Sequence, residues 1–164
     1  MNALAENLLR IALIGVGATL IMDGWLMLLK RLHVPTLNFG YIGRWVGHIF
    51  RGRWFHDGIV KAAPIKHELL IGWLLHYATG LVFAMLLVAI WGAEWLQQPR
   101  FMPALLTGVA TVVVPLFVMQ PAMGAGIASS RTPTPTRNCI KSVLNHAVFG
   151  YGLYLAGVVL AQFA

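Results

Sequence analysis

Three ionisable side chains, Asp23, His76 and His146, stand inside long apolar runs. Carboxylate and imidazole are the groups of general acid–base catalysis, of proton relays and of zinc, iron or copper ligation. In hydrocarbon an ionisable group costs about 2.5–3.5 kcal/mol on insertion scales, so each needs a partner, an aqueous cavity or neutralisation. Small residues flank them at helical spacing: Gly15, Thr19 and Asp23 form one stripe, Gly72, His76 and Gly80 a second, and Ser142, His146 and Gly150 a third. Such stripes mark close helix contact. Thr107, Thr111, Pro115 and Met119 line a fourth, with Gln120 one position off it.

The elements that must hold these groups follow from composition. The chain has 164 residues, of which 59% are hydrophobic and 10% charged, far from the roughly 25% charged residues of a soluble domain. Apolar runs cover 8–29, 69–93, 101–123 and 140–163. Each has the roughly 20 residues that cross a bilayer, and in lipid each must be a helix, because its backbone groups find no water. The expected fold is therefore all-α: one polytopic membrane domain over 1–164, a bundle of four transmembrane helices with a short interfacial amphipathic helix in its first cytoplasmic loop. The first run is expected to be retained, since Lys30 and Arg31 follow it as a stop-transfer flank.

Charge sets the expected orientation. Lys30, Arg31, Arg44, Arg51, Arg53, Lys61 and Lys66 lie between the first two spans, and Arg131, Arg137 and Lys141 between the last two. The other side has Arg10 and Arg100. The positive-inside rule puts both basic segments, 30–68 and 124–139, in the cytoplasm and both termini on the periplasmic side of a bacterial inner membrane. Asp23, His76, His146 and Gln120 then share one layer near the cytoplasmic leaflet. Trp91 and Trp95 are expected in the outer aromatic belt. His76-x-x-x-Gly80 resembles His146-x-x-x-Gly150, a weak repeat that two related helical hairpins would explain.

In the first cytoplasmic segment, Tyr41–Arg53 reads as an amphipathic helix. Ile42, Trp45, Val46, Ile49 and Phe50 share one face, and Arg44, His48 and Arg51 the other. Two placements are open: in the inner interface, with Arg44 and Arg51 near anionic headgroups, or packed across the bundle mouth. Asn38, which precedes this helix, is with Arg44, His48 and Arg131 a candidate site residue of the cytoplasmic loops. His56-Asp57-Gly58 is expected to turn, with Gly58 at positive φ; a proton-handling His–Asp dyad is the rival reading. In the second segment, Pro121 is expected to stop or kink the third span, Gly124 and Gly126 allow tight approach, and Asn138 is a candidate N-cap. Arg131, with Ser129 and Ser130, is either an anion site or a plain basic loop.

The motifs Gly17-Ala-Thr-Leu-Ile-Met-Asp23, Pro35-Thr-Leu-Asn-Phe-Gly40, Gly43-Arg-Trp-Val-Gly-His48, Gly72-Trp-Leu-Leu-His-Tyr77, Met119-Gln-Pro-Ala-Met-Gly-Ala-Gly126, Ala128-Ser-Ser-Arg-Thr-Pro133 and His146-Ala-Val-Phe-Gly150 span nearly the whole chain. Through them it resembles the bacterial family catalogued as domain of unknown function 2938. The resemblance implies a small polytopic inner-membrane protein and carries over no activity, cofactor or functional residue.

Four functions remain for the polar layer. It fixes helix packing; or it serves a small transporter or proton-coupled translocator, which with four helices needs a homodimer. It holds a metal or haem through His76, His146 and Asp23; or it serves an enzyme acting on a lipid or quinone. No nucleophile elbow, H-E-x-x-H, Walker A loop or paired carboxylate is present. The single Cys139 excludes an intrachain disulfide. Membrane lipids are the expected partners. The charge of +7 is explained by topology, and no nucleic-acid motif accompanies it.

Overall fold

The computed structural model describes residues 2–163. Among them every regular element is helical. Helix α1 spans Ala3–Arg31, α2 Phe39–Ile49, α3 Glu68–Trp91, α4 Phe101–Ala110, α5 Gln120–Ala122 and α6 Pro135–Ala161. Four stretches are long and apolar enough to cross a membrane: α1, α3, α6 and the composite Phe101–Ala122. Only 17–39% of each is buried inside the protein, and large apolar side chains such as Leu8, Leu20, Leu74, Val82, Leu106 and Val159 face outward. Water would not tolerate so much exposed apolar surface; hydrocarbon does.

Helix ends follow local chemistry more closely than hydropathy. The Asn2 side chain accepts from the Ala5 amide at 2.8 Å, so α1 starts five residues before the apolar run at Leu8. Glu6 in its first turn and Lys30 and Arg31 in its last complement the helix dipole. Helix α6 likewise starts early, at Pro135 and not 140. Proline suits the first helical position because its missing N–H would be unsatisfied there. Asn138 is therefore not the N-cap: it lies in the first turn, and its Nδ2 donates to Thr132 Oγ1 at 2.9 Å. Pro121 lies one residue before the end of the third span, which closes at Ala122. It sits within α5, preceded by a π turn over Pro115–Met119. A proline ring crowds the carbonyl four residues back, here that of Phe117, and a widened turn relieves the clash.

The chain forms two compact units: Met1–Thr36, Tyr77–Thr111 and Leu144–Ala164 make the first; Leu37–His76 and Val112–Val143 make the second. In the first, parts of all four spans pack around Ile14, Ala18, Ala84, Leu87, Trp95, Ala104, Phe149 and Leu153. The helices meet at glycines. A Cβ on Gly80 would strike Thr19 Oγ1, one on Gly150 would lie 2.8 Å from the Ala104 carbonyl, and one on Gly152 3.0 Å from Ala18 Cα. Both glycines of the weak repeat, Gly80 and Gly150, thus stand at helix crossings. Trp95 does not join an aromatic belt. It is 1% exposed, packs against Gly157, and its indole N–H donates to the Arg100 carbonyl at 3.1 Å.

In the second unit α2 lies against the start of α3, again through glycine. A Cβ on Gly43 would strike the Glu68 carbonyl, and one on Gly72 the Phe39 carbonyl. This contact turns the polar face of α2 inward: Arg44 and His48 are buried, while Phe50 is 87% exposed. Of the two placements open for the amphipathic helix, its polar side is the packed one.

The crossings give a direct test. Gly150→Val forces a branched side chain into the α4 backbone, and overpacking of this kind costs about 1–3 kcal/mol. Gly24, with nothing within 4 Å of its would-be Cβ, accepts alanine. In detergent, Gly150→Val should lower the melting temperature by several degrees and Gly24→Ala should not. Equal melting for both would contradict the packing described.

Candidate functional site

The intramembrane polar groups of the first unit are held by hydroxyls and carbonyls. Tyr77 Oη donates to Asp23 Oδ2 at 2.8 Å. His146 Nδ1 lies 2.9 Å from Thr111 Oγ1 and 3.2 Å from the Gly108 carbonyl. A carbonyl only accepts, so Nδ1 carries the ring proton in this arrangement, and the Thr111 hydroxyl donates onward to the same carbonyl at 2.6 Å. Trp25 Nε1 donates to Asn145 Oδ1 at 2.9 Å, one position before His146. Tyr77 and Thr111 are the partners that sequence reasoning missed. Tyr77 follows His76 and Thr111 lies on the fourth stripe, so spacing alone placed both nearby without pairing them.

His76 and Gln120 belong to the second unit. His76 packs its ring against Phe39, with centroids 4.4 Å apart, and more loosely against Trp73. Gln120 accepts from Ser129 Oγ at 2.9 Å and so holds the loop that follows its own helix. Among the described residues, no three His, Cys, Asp or Glu side chains are grouped as a metal ion would require.

The strongest electrostatic feature of the second unit is Arg44. Its Nε and Nη2 donate to the two Glu68 carboxylate oxygens at 2.8 and 2.7 Å, a bidentate fork. Its Nη1 reaches the carbonyls of Ile59, Val60 and Ala62 at 3.2–3.3 Å. The hydrogen bonds to Glu68 hold the guanidinium pKa above its ordinary value, against the opposing effect of burial. Glu68 also accepts from the Ile65 amide at 3.0 Å. One partly buried pair thus ties α2, the turn at 59–62 and the start of α3. Asn38 caps α2 by accepting from the Gly40 amide at 2.9 Å, and His48 Nε2 donates to the Ala63 carbonyl at 2.9 Å.

Two connecting loops join beside this anchor. The His56 amide donates to the Ala122 carbonyl and the Ile59 amide to the Met123 carbonyl, each at 2.9 Å. Gly124, at φ 95°, lets the second loop approach: a Cβ there would lie 2.6 Å from the Gly58 amide nitrogen. The flexible residue is not Gly58 as expected, because its φ of 168° is extended backbone open to any residue. Instead the left-handed residues cluster further on, at Gly126, Ala128 (φ 49°) and Ser129 (φ 61°). For the two non-glycines this costs about 1–3 kcal/mol each. Several bonds hold the strained turn: the Arg131 amide to the Ala125 carbonyl, Ser129 Oγ to Gln120, and Cys139 Sγ to the Ala128 carbonyl at 3.1 Å.

Between the loops lies a cavity of about 410 Å³ lined by Arg53, Phe55, His56, Asp57, Pro121, Gly126, Ile127, Ser130 and Arg131. His56 is 5% exposed and T-stacked on His48, with centroids 5.0 Å apart. Neither of its ring nitrogens makes a well-formed hydrogen bond, so Asp57 is not its dyad partner. Burial pushes the His56 pKa down, and Arg53 and His48 push the same way, against weaker opposing effects of Ala122 and Asp57.

These features define an all-helical integral membrane protein with four candidate spans. The chain matches the family described as Protein of unknown function (DUF2938) over residues 12–160, and it belongs to that family. No curated protein and no solved structure matches it.

The His56 environment predicts a pH response. A neutral imidazole is favoured in the fold, so the folded pKa lies below the unfolded value of about 6.5. The stability this confers is present above about pH 6.5 and is lost as pH falls toward the folded pKa. Hydrogen exchange at the His56 and Ile59 amides should therefore quicken relative to intrinsic rates between about pH 7.5 and about pH 5. Protection that does not change with pH would contradict this.

Proposed function

We propose that this is a multi-pass protein of the bacterial inner membrane whose intramembrane polar residues act in helix packing, and not as a catalytic centre. The observation that carries the reading is His146. Its Nδ1 proton goes to Gly108 of the adjoining α4 and to Thr111 at that helix's C-cap, next to the Gly108–Gly150 crossing, where a Cβ on Gly108 would lie 2.5 Å from Gly150 Cα. A side chain so placed serves as a locking bond between two helices in close contact. Asp23 accepting from Tyr77 joins α1 to α3 in the same way.

The distribution of basic residues supports cytoplasmic loops and periplasmic termini. Arg51 is exposed and remains available to anionic headgroups, whereas Arg44 is withdrawn by Glu68. A second reading, a small translocator working as a homodimer, draws support from the π turn at Pro115–Met119, an irregularity often found at functional sites.

A double-mutant cycle over Asp23→Asn and Tyr77→Phe tests the packing role. Each change should lower the melting temperature in detergent, with a coupling of about 0.5–2 kcal/mol between them. Unchanged melting with loss of a cellular phenotype would favour a working site instead. For orientation, alkaline phosphatase joined after Phe163 should be active, because that enzyme folds only outside the cytoplasm. An inactive fusion would reverse the topology.

A further inference from the structure

We propose that the cavity between the 53–57 and 121–131 loops binds a phosphate group through the guanidiniums of Arg53 and Arg131, the Ser130 hydroxyl and the His56 imidazole. Four observations carry this. First, both arginines border the cavity, and the ion pairs found among the described residues, Arg10–Glu6 and Arg44–Glu68, involve neither. Planar guanidinium forks match phosphate oxygens bidentately. Second, His56 borders the cavity and is buried, and neither of its ring nitrogens makes a well-formed hydrogen bond. The other unpartnered buried side-chain atom among the described residues, Arg10 Nη1, belongs to a guanidinium already bonded to Glu6. A group left unsatisfied at this depth calls for an explanation, and a ligand oxygen supplies one.

Third, the amides of Ser130, Arg131 and Thr132 already donate within their own loop, to Ile127, Ala125 and Ser129. Recognition therefore rests on side chains. Fourth, the loop is shaped around Arg131. At Gly126 a Cβ would strike Ser130 Oγ and lie 2.9 Å from Arg131 Cγ, so a side chain there would displace both. Asp57 also lines the cavity, and its single negative charge is outweighed by the two arginines. The remaining rim, Phe55, Pro121 and Ile127, is apolar and accepts an organic group attached to the phosphate. Two sources supply this chemistry: a soluble phosphate or phosphomonoester, and the headgroup of a phosphomonoester lipid.

The full chain in nonionic detergent should bind inorganic phosphate saturably, read by titration calorimetry at constant ionic strength. Arg131→Gln and Arg53→Gln, both at exposed positions that the fold does not need, should each weaken binding about tenfold or more, as expected when a charge-assisted bond is lost. Arg51→Gln, outside the cavity, should bind inorganic phosphate in detergent as the parent does. In a second arm the protein sits in phosphatidylcholine nanodiscs with or without phosphatidate. Binding of inorganic phosphate that depends on Arg131 identifies a soluble ligand. Binding of phosphatidate alone, again Arg131-dependent, identifies the lipid.

With sulfate as probe, whose charge is constant in this range, affinity should rise between about pH 7.5 and about pH 5.5 as His56 takes up a proton beside the anion. The groups facing it are Arg53, Asp57, His48 and Arg131, and His56→Gln should flatten the response. Binding of neither probe overturns the proposal, as does binding equal in parent, Arg53→Gln and Arg131→Gln.

Discussion

Hydrocarbon offers no hydrogen-bond partner, so every polar group that the chain carries into the membrane must be answered by the chain itself. The threonines answer locally: Thr19 donates to the Gly15 carbonyl and Thr107 to Pro103, each at 2.8 Å on its own helix. The larger groups reach across. Tyr77 bonds Asp23, Trp25 bonds Asn145, Trp91 bonds Thr107, and His146 bonds Thr111. Each such bond fixes which faces of two helices meet, something apolar contact alone specifies poorly when lipid tails are equally apolar. The glycine crossings follow from the same need. A bond of 2.8–3.1 Å between helices requires their backbones to come close, and Gly80, Gly108 and Gly150 permit that.

Outside the spans the same constraint takes a different form. Arg44 is withdrawn from solvent and satisfied by one carboxylate and three carbonyls. A partly buried pair of this kind adds little net stability over an apolar alternative, yet removing one partner would leave the other charge poorly satisfied. Its contribution is to geometry: it joins three pieces of chain that share no regular pairing. His56 departs from this pattern. It is buried beside that anchor with neither ring nitrogen in a well-formed hydrogen bond, at a cavity bordered by Arg53 and Arg131, and the loop that carries Arg131 holds a strained turn. Strain and an unsatisfied group in one place mark a site better than either does alone.

Much of this was legible in the residues. The count and nature of the spans followed from run length and hydropathy, and the small-residue stripes correctly marked where helices touch. Helices α1 and α6 run beyond the apolar stretches because hydropathy sees apolar content, whereas a helix end depends on caps such as Asn2 and on Pro135 at the first position. Trp95 was expected at the interface, since composition cannot tell an indole near a span end from one folded back under it. The two faces of α2 were correctly divided into polar and apolar, but which one packs was open until the glycine contact at Gly43 and the fork to Glu68 were seen.

Composition and periodicity alone determined that the chain is helical, spans a membrane about four times and keeps few polar groups inside, because those properties depend on the solvent and on nearest neighbours along the helix. Pairing was decided only in three dimensions. Asp23 with Tyr77 and Arg44 with Glu68 are contacts between residues tens of positions apart, and the burial of the His56 ring without a well-formed hydrogen bond is likewise set by loops far apart in the chain. One-dimensional spacing carries a residue's face and depth but not the identity of the side chain that another helix or loop brings to meet it.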